Sequence, residues 1–155
     1  RRRIQPIRDL SLEICAGEIT ALAGASGSGK SLLAQAVMGI LPEQAAAEGT
    51  IEFQGQELTK EYLRALRGRE IALIPQGVNG LDPLGIQELR HLIRSFPDQG
   101  ITVLVSSHIL SEIQQTADYI GIIANGKLGY EGIVDESQDL EQLFMKIVAV
   151  ERGVR

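Results

Sequence analysis

The sequence predicts an α/β fold in which a mainly parallel sheet is flanked by helices. Short apolar runs alternate along the chain with stretches whose apolar residues have helical spacing, which is typical of such folds. A glycine-rich loop joins one of these runs to the helix that follows it. The composition, 44% hydrophobic and 23% charged, is that of a globular domain. We therefore expect residues 1–155 to form a single domain.

The glycine-rich loop has the spacing G-x-x-x-x-G-K-S, the P-loop pattern of nucleotide-binding proteins. Its glycines let the backbone N–H groups point inward, and the helix that follows adds the positive end of its dipole. Lys30 supplies a mobile charge for the β- and γ-phosphates, and Ser31 a hydroxyl ligand for Mg²⁺. The alternative is a glycine-rich turn that binds nothing. The predicted binding residues are Gly24, Ala25, Ser26, Gly27, Ser28, Gly29, Lys30, Ser31 and Leu32.

The remaining elements follow from apolar spacing and turn signals. Predicted strands cover residues 10–14, 19–23, 50–53, 71–74, 101–105 and 119–124. The first predicted helix starts after the glycine loop and ends near Gly39, and the second covers residues 58–66. A third begins at the Asp82 cap, a fourth follows His108, and the last includes Leu140 to Ile147. Asn125-Gly126 is a typical hairpin turn.

Two polar residues besides the glycine loop follow predicted strands. Gln76 comes shortly after the run 71–74, and His108 comes after the run 101–105. Ligands of open parallel sheets bind beyond the carboxyl ends of the strands. We therefore expect both side chains to converge on the glycine loop. The alternatives are a plain loop residue at Gln76 and a packed or solvated histidine at His108.

Charge and cysteine content exclude some classes of protein. The net charge of −5 argues against nucleic acid as the main partner. Cys15 is the only cysteine, so no intrachain disulfide is possible, and a reducing cytoplasmic location is expected. We expect Cys15 to pack as a small hydrophobic residue. No apolar run approaches the length of a membrane span.

With these motifs in place, the chain resembles the ATP-binding domains of ABC transporters. GASGSGKS is similar to their Walker A motif, and IALIPQ, residues 71–76, to the strand that enters the Q-loop. NGLDP, residues 79–83, resembles the D-loop, and Ser107-His108 resembles the switch histidine. The resemblance implies binding of ATP or ADP with Mg²⁺, and Gln76 as a further metal or water contact. It also implies a partner ATP-binding domain, either a second copy or another chain, and a membrane domain at the inner membrane face.

The sequence departs from the family pattern between residues 76 and 79. The helical subdomain, the LSGGQ signature and the Walker B Asp-Glu pair are missing there, and no aromatic residue precedes Walker A. Residues 1–76 resemble peptide and nickel importer ATPases, whereas 79–148 resemble bacitracin and lantibiotic-resistance exporter ATPases. The charge also changes, because residues 78–155 carry 6 basic and 11 acidic side chains. These observations predict a truncated or chimeric domain, natural or engineered, joined near 76–79.

The departures leave three functional hypotheses open. The first is a domain that binds ATP or ADP and hydrolyses it weakly or not at all, because no carboxylate is evident to activate water. The second is a working transporter ATPase completed by a partner chain. The third is a recombined scaffold whose P-loop is a relic.

For the fold, we expect strand 71–74 to take the position of the missing Walker B strand beside 101–105, and Asp82 to be a helix cap or an intersubunit contact.

Overall fold

The computed structural model describes residues 4–70, 82–151 and 153, and these fall into two units. The first unit runs to Lys30 and resumes at Asn79, and the second covers Ser31–Val78. The strands are β1 (Ile19–Gly24), β2 (Glu52–Phe53), β3 (Gln56–Glu57), β4 (Val103–Ser107), β5 (Tyr119–Ala124) and β6 (Lys127–Ile133). The helices are α1 (Lys30–Met38), α2 (Lys60–Leu66), α3 (Pro83–Ser95), α4 (Leu110–Thr116) and α5 (Leu140–Glu151), with a 3₁₀ turn at Pro97–Gln99.

The first unit is built on a sheet with the strand order β4-β1-β5-β6. Strand β1 is parallel to both of its neighbours, pairing Ala23 with Ser107 of β4 and with Ile122 of β5. Strand β6 is antiparallel to β5 and follows it through the Asn125-Gly126 turn. Both turn residues have positive φ, 52° and 79°, as the predicted hairpin turn requires. The predicted mainly parallel sheet is therefore confirmed.

Both faces of strand β1 are buried, as its unbroken apolar sequence predicts. On one face, Ala21 and Ala23 belong to a core that includes Ile113 of α4 and Leu140 of α5. On the other face, Leu22 is 1% exposed. Each Å² of apolar surface that is buried on these two faces contributes about 25 cal/mol to the stability of the fold. The loop therefore follows a strand whose six residues are all buried.

The second unit contains a capped helix end and a short hairpin. Helix α1 stops at Met38, and Gly39 follows with φ 64°, the left-handed conformation of a helix C-terminus. Arg67 donates from Nε to the Met38 carbonyl at 2.8 Å and from a terminal nitrogen to the Gly39 carbonyl at 2.9 Å. Leu63 and Leu66 of α2 are buried, as their spacing predicts. The Gln54-Gly55 turn joins β2 to β3.

Helix α3 begins as the sequence predicts, but its apolar face is only partly covered. The Asp82 carboxylate accepts the Gly85 N–H at 2.8 Å, and Pro83 occupies the first helical position. The cap prediction is therefore confirmed. Ile93 packs against the core of the first unit, whereas Ile86 is 37% exposed.

Three expectations from the sequence need correction. Residues 10–14 form no strand, although Leu12 lies close to Gly121 of β5, so the alternation reports burial of Leu12 without strand pairing. Cys15 is exposed and does not pack in a core. Strand β4 begins at Val103, two residues late, because Ile101 lies outside the sheet and is 43% exposed.

Some expectations cannot be compared with the structure. The strand 71–74, its pairing beside β4, Gln76 and the join at 76–79 all lie outside the described residues. None of the helices in the described part of the chain has both the length and the apolarity needed to cross a bilayer.

Candidate functional site

The glycine loop lies between the carboxyl end of β1 at Gly24 and the start of α1 at Lys30. Ser28 donates its N–H to the Ala25 carbonyl at 3.0 Å, which closes the loop into a turn. Gly27 and Gly29 have φ of 78° and 97°, values that residues with a side chain rarely adopt. The glycines of the motif are therefore required by the backbone path at these two positions.

Gly24 is required for a different reason, which is the closeness of its neighbours. A Cβ atom at this position would lie 2.6 Å from Ser28 Oγ and 2.8 Å from the Ile123 carbonyl oxygen of β5. Contacts of this length force the neighbours to move. The absence of a side chain at Gly24 thus lets the loop fold back onto the ends of β1 and β5.

The Lys30 side chain folds back over the loop. Its ammonium donates to the Gly24 carbonyl at 2.7 Å, the Ala25 carbonyl at 3.0 Å and Ser28 Oγ at 3.2 Å. These three acceptors use all three ammonium donors and hold the positive charge above the turn. Burial lowers the pKa of the Lys30 amine from its ordinary value, because desolvation disfavours the charged form. An anion beside this ammonium would offset that cost.

Helix α1 begins at Lys30, directly after the loop. The first four N–H groups of a helix have no partner within the helix, and they carry the positive end of its dipole. The first turn of α1 contains no acidic side chain. Ser31 and Leu32 follow Lys30 in this turn, and the Ser31 side chain is exposed. N–H groups at the start of a helix are typical donors to phosphate, whereas the Ser28 N–H is used inside the loop.

The predicted metal ligand that the structure describes is the hydroxyl of Ser31. Among the described residues, no group of three or more His, Cys, Asp or Glu side chains could hold a metal ion. A magnesium ion held through one hydroxyl and the phosphates of its nucleotide is compatible with this site, because Mg²⁺ usually keeps several water ligands.

His108 follows directly after strand β4, beside the glycine loop. The β1–β4 ladder ends at the pair of Ala23 and Ser107, so His108 and Gly24 each lie one residue beyond this pair. Ser107 Oγ accepts the Ile109 N–H at 3.0 Å, which turns the chain at this point. The His108 side chain is exposed. The structure therefore brings this residue to the edge of the sheet where the loop lies.

Gln76 and Asp82 are the other two residues that the sequence singles out. Gln76 lies outside the described residues. The Asp82 carboxylate is exposed and is used as the cap of α3 through its bond to the Gly85 N–H. As a helix cap, Asp82 has a structural role that is independent of any ligand.

Sequence analysis missed the N-terminal segment, which lies against the loop. A Cβ atom at Gly29 would meet Ile7 Cγ1 at 2.7 Å, and the Arg8 N–H donates to the Gly126 carbonyl at 2.6 Å. The partners of these two contacts are far apart in the chain, and no local sequence pattern predicts the contacts. Only a signal for pairing between distant residues could have found this segment.

Comparison with known proteins identifies the family. The sequence model of the family described as "ABC transporter" matches residues 7–143, which is most of the chain. A solved structure titled "Structure of ATP binding subunit of ABC transporter" superposes with a TM-score of 0.71 over 91% of this chain and 92% of that one. Its sequence is 18% identical, so this likeness shows the fold alone.

Two curated relatives are similar over about half of the chain. The lantibiotic transport ATP-binding protein SrtF of Streptococcus pyogenes is 46% identical over 83 residues, covering 54% of this chain and 36% of SrtF. The oligopeptide transport ATP-binding protein AmiE of Streptococcus pneumoniae is 44% identical over 85 residues, covering 50% of this chain and 24% of AmiE. The chain therefore spans about a third or less of each relative. With the family match over 7–143 and the glycine loop at its expected place in the fold, this chain belongs to the ABC transporter family, as one of its ATP-binding domains.

Proposed function

We propose that this chain binds ATP or ADP with Mg²⁺ through residues 24–32 and hydrolyses ATP weakly or not at all. The observation that carries the proposal is the Lys30 ammonium, held above the loop by three oxygen acceptors at 2.7 to 3.2 Å. A charge in this position, beside the start of a helix without acidic residues in its first turn, suits a polyphosphate.

The test of binding is calorimetry with Mg-ATP and Mg-ADP on the wild type and Lys30→Ala. Lys60→Ala is the control, because Lys60 is also the first residue of a helix, but it is exposed and no glycine loop precedes it. Lys30→Ala should abolish binding, and Lys60→Ala should leave it unchanged. Equally negligible heats for the wild type and Lys30→Ala would refute the proposal and favour a relic loop.

Weak hydrolysis is proposed from the sequence, which contains no LSGGQ signature and no Asp-Glu pair between the motifs that resemble the Q-loop and the D-loop. Phosphoryl transfer depends on positioned groups, and losing one of them commonly costs factors of about 10³–10⁵. Phosphate release measured on the calorimetry samples should therefore be close to background. Turnover at rates of about 1 s⁻¹, usual for enzymes, would contradict this part of the proposal.

We propose that His108 contacts the terminal phosphate, and that Gln76 contacts the metal or the attacking water. The position of His108 at the end of β4, directly after the residue that pairs with Ala23, supports its role. His108→Ala should reduce the preference for ATP over ADP, and His91→Ala, on the exposed surface of α3, should not. This readout needs no turnover. If the two variants had the same preference for ATP over ADP, His108 would not contact the terminal phosphate.

A second candidate function is an ATPase of a transporter that a partner completes. Membership of the family favours it, because the SrtF and AmiE relatives are named as transport ATP-binding proteins. This function requires a second ATP-binding domain, either a copy or another chain, and a membrane domain. It predicts that hydrolysis per molecule rises with protein concentration. A rate that stays flat would argue against assembly of copies.

We also infer that the chain joins two differently related halves near residues 76–79. The matches to SrtF and AmiE each cover about half of the chain, which supports this inference. The expected result is an AmiE-like match before the join and an SrtF-like match after it. The two coverages of 54% and 50% require the matches to share a few residues, and matches that share most of their residues would contradict the inference.

A further inference from the structure

A single residue, His108, separates the end of strand β4 from the residue that caps helix α4. The strand ends at Ser107, and the cap of α4 is Ile109. The cap residue has the extended backbone conformation, with φ −101° and ψ 97°, and makes no capping hydrogen bond through its side chain. Isoleucine is a poor cap, because its side chain has no oxygen to accept a backbone N–H. A side chain that fixes the start of α4 must therefore come from another residue.

The hydroxyl of Ser107 supplies this contact. Its Oγ accepts the Ile109 N–H at 3.0 Å, across the intervening His108. A serine hydroxyl that accepts the N–H two residues later forms a local turn and restrains the residue between the two. Burial does not fix this stretch, because His108 is exposed and Ile109 is 42% exposed. The hydrogen bond to Ser107 Oγ thus orders a turn that packing alone leaves loose.

The backbone of Ser107 is itself held by the sheet. It pairs with Ala23 of β1, which is 0% exposed and directly precedes Gly24 of the glycine loop. The Ser107 side chain, which is half-buried, therefore starts from a position that the neighbouring strand fixes. Through its hydroxyl, Ser107 extends this fixed position to the residue that follows it, His108.

We infer that Ser107 is a positioning residue for His108. Its hydrogen bond to the Ile109 N–H holds the turn in the conformation from which the His108 ring reaches the terminal phosphate of ATP. The inference rests on the proposed function, in which His108 contacts that phosphate. When a binding-competent conformation is populated only part of the time, the apparent affinity falls by that fraction. Loss of the bond therefore weakens ATP binding and leaves ADP binding unchanged, because ADP lacks the terminal phosphate.

The experiment measures the affinities of Mg-ATP and Mg-ADP by calorimetry and compares their ratio between variants. Ser107→Ala removes the hydroxyl, whereas Ser107→Thr keeps it on a β-branched side chain that suits a strand. Ser95→Ala is the matched control. The Ser95 side chain is also half-buried, and its hydroxyl also bonds to the backbone, donating to the Leu92 carbonyl at 2.6 Å, but it lies at the end of α3, before β4 begins.

A double-mutant cycle tests whether Ser107 acts through His108. It consists of the wild type, Ser107→Ala, His108→Ala and the double variant, with the preference for ATP over ADP as the measured quantity. Urea unfolding of each variant verifies that it is folded and reports any loss of stability separately from the preference.

Ser107→Ala should reduce the preference for ATP over ADP about two- to tenfold, the range that corresponds to the net value of one hydrogen bond. Ser107→Thr and Ser95→Ala should keep the preference of the wild type. In the His108→Ala background, Ser107→Ala should have no further effect on the preference, because the side chain that it positions is gone.

Five results would overturn the inference. An unchanged preference in Ser107→Ala, with only a lower urea midpoint, would make the hydrogen bond purely structural. An equal loss in Ser107→Thr would show that the hydroxyl is not responsible. A further loss from Ser107→Ala in the His108→Ala background would mean that Ser107 acts independently of His108. An unchanged preference in His108→Ala would remove the role of His108 and this inference, while ATP binding by the loop stands. A wild type that binds neither nucleotide refutes the proposed function itself, and the inference with it.

Discussion

The contact between Gly29 and Ile7 allows a sharp test of how the glycine loop is held. Gly29→Ala should destabilise the protein for two separate reasons. Its φ of 97° costs a residue with a side chain on the order of 1–3 kcal/mol. The new Cβ would also lie 2.7 Å from Ile7 Cγ1 and 3.0 Å from Ile7 Cδ1, and overpacking of this kind costs about 1–3 kcal/mol.

Gly27→Ala separates the two costs. Gly27 has φ 78°, and a Cβ there would have no atom within 4 Å. This variant should therefore lose only the backbone part, about 1–2 kcal/mol for the left-handed region. Gly29→Ala should lose more, on the order of 2–6 kcal/mol, which is a large part of the 5–15 kcal/mol typical of a domain.

The Ile7→Ala substitution removes the two atoms that the new Cβ would meet, so it should rescue Gly29→Ala. Urea unfolding of the wild type, both single variants and the double variant forms a double-mutant cycle. The backbone cost of Gly29→Ala is the same with or without Ile7 and cancels, leaving a favourable coupling of about 1–3 kcal/mol. Additive effects, within about 0.5 kcal/mol, would refute the idea that Ile7 holds the loop.

Two further predictions concern the cap of α3 and the charge of Lys30. Asp82→Ala removes the hydrogen bond to the Gly85 N–H and should lower the free energy of unfolding by about 1 kcal/mol. The control Asp98→Ala, in an exposed turn, should leave the free energy of unfolding unchanged. Equal urea midpoints for the two variants would contradict the capping role of Asp82. Because burial lowers the pKa of Lys30, its charge is present below that pKa and lost as pH rises through it, earlier than for an exposed lysine. ATP affinity measured by calorimetry should therefore fall at alkaline pH, and Lys30→Arg, which stays protonated, should not show that fall. A parallel fall in both proteins would assign the titration to another group.

The sequence by itself determined the elements whose signals are local. The unbroken apolar run of β1, the G-x-x-x-x-G-K-S spacing and the Asp82-Pro83 start of α3 each depend on residues within a few positions of one another. The Asn125-Gly126 turn is of the same kind, because two adjacent positive φ values favour these residues. Such features are predictable, since the physical cause and the pattern lie in the same short stretch.

Only the tertiary structure decided the features that depend on distant partners. Residues 10–14 alternate like a strand but have no described strand beside them, and Cys15 is exposed because no described core extends to it. The register of β1 with β4, which pairs Ala23 with Ser107, joins residues that the sequence keeps far apart. The N-terminal segment meets the hairpin turn because the Arg8 N–H donates to the Gly126 carbonyl. Local sequence patterns are compatible with many pairings of distant residues, and the packing of the whole chain determines which of these pairings form.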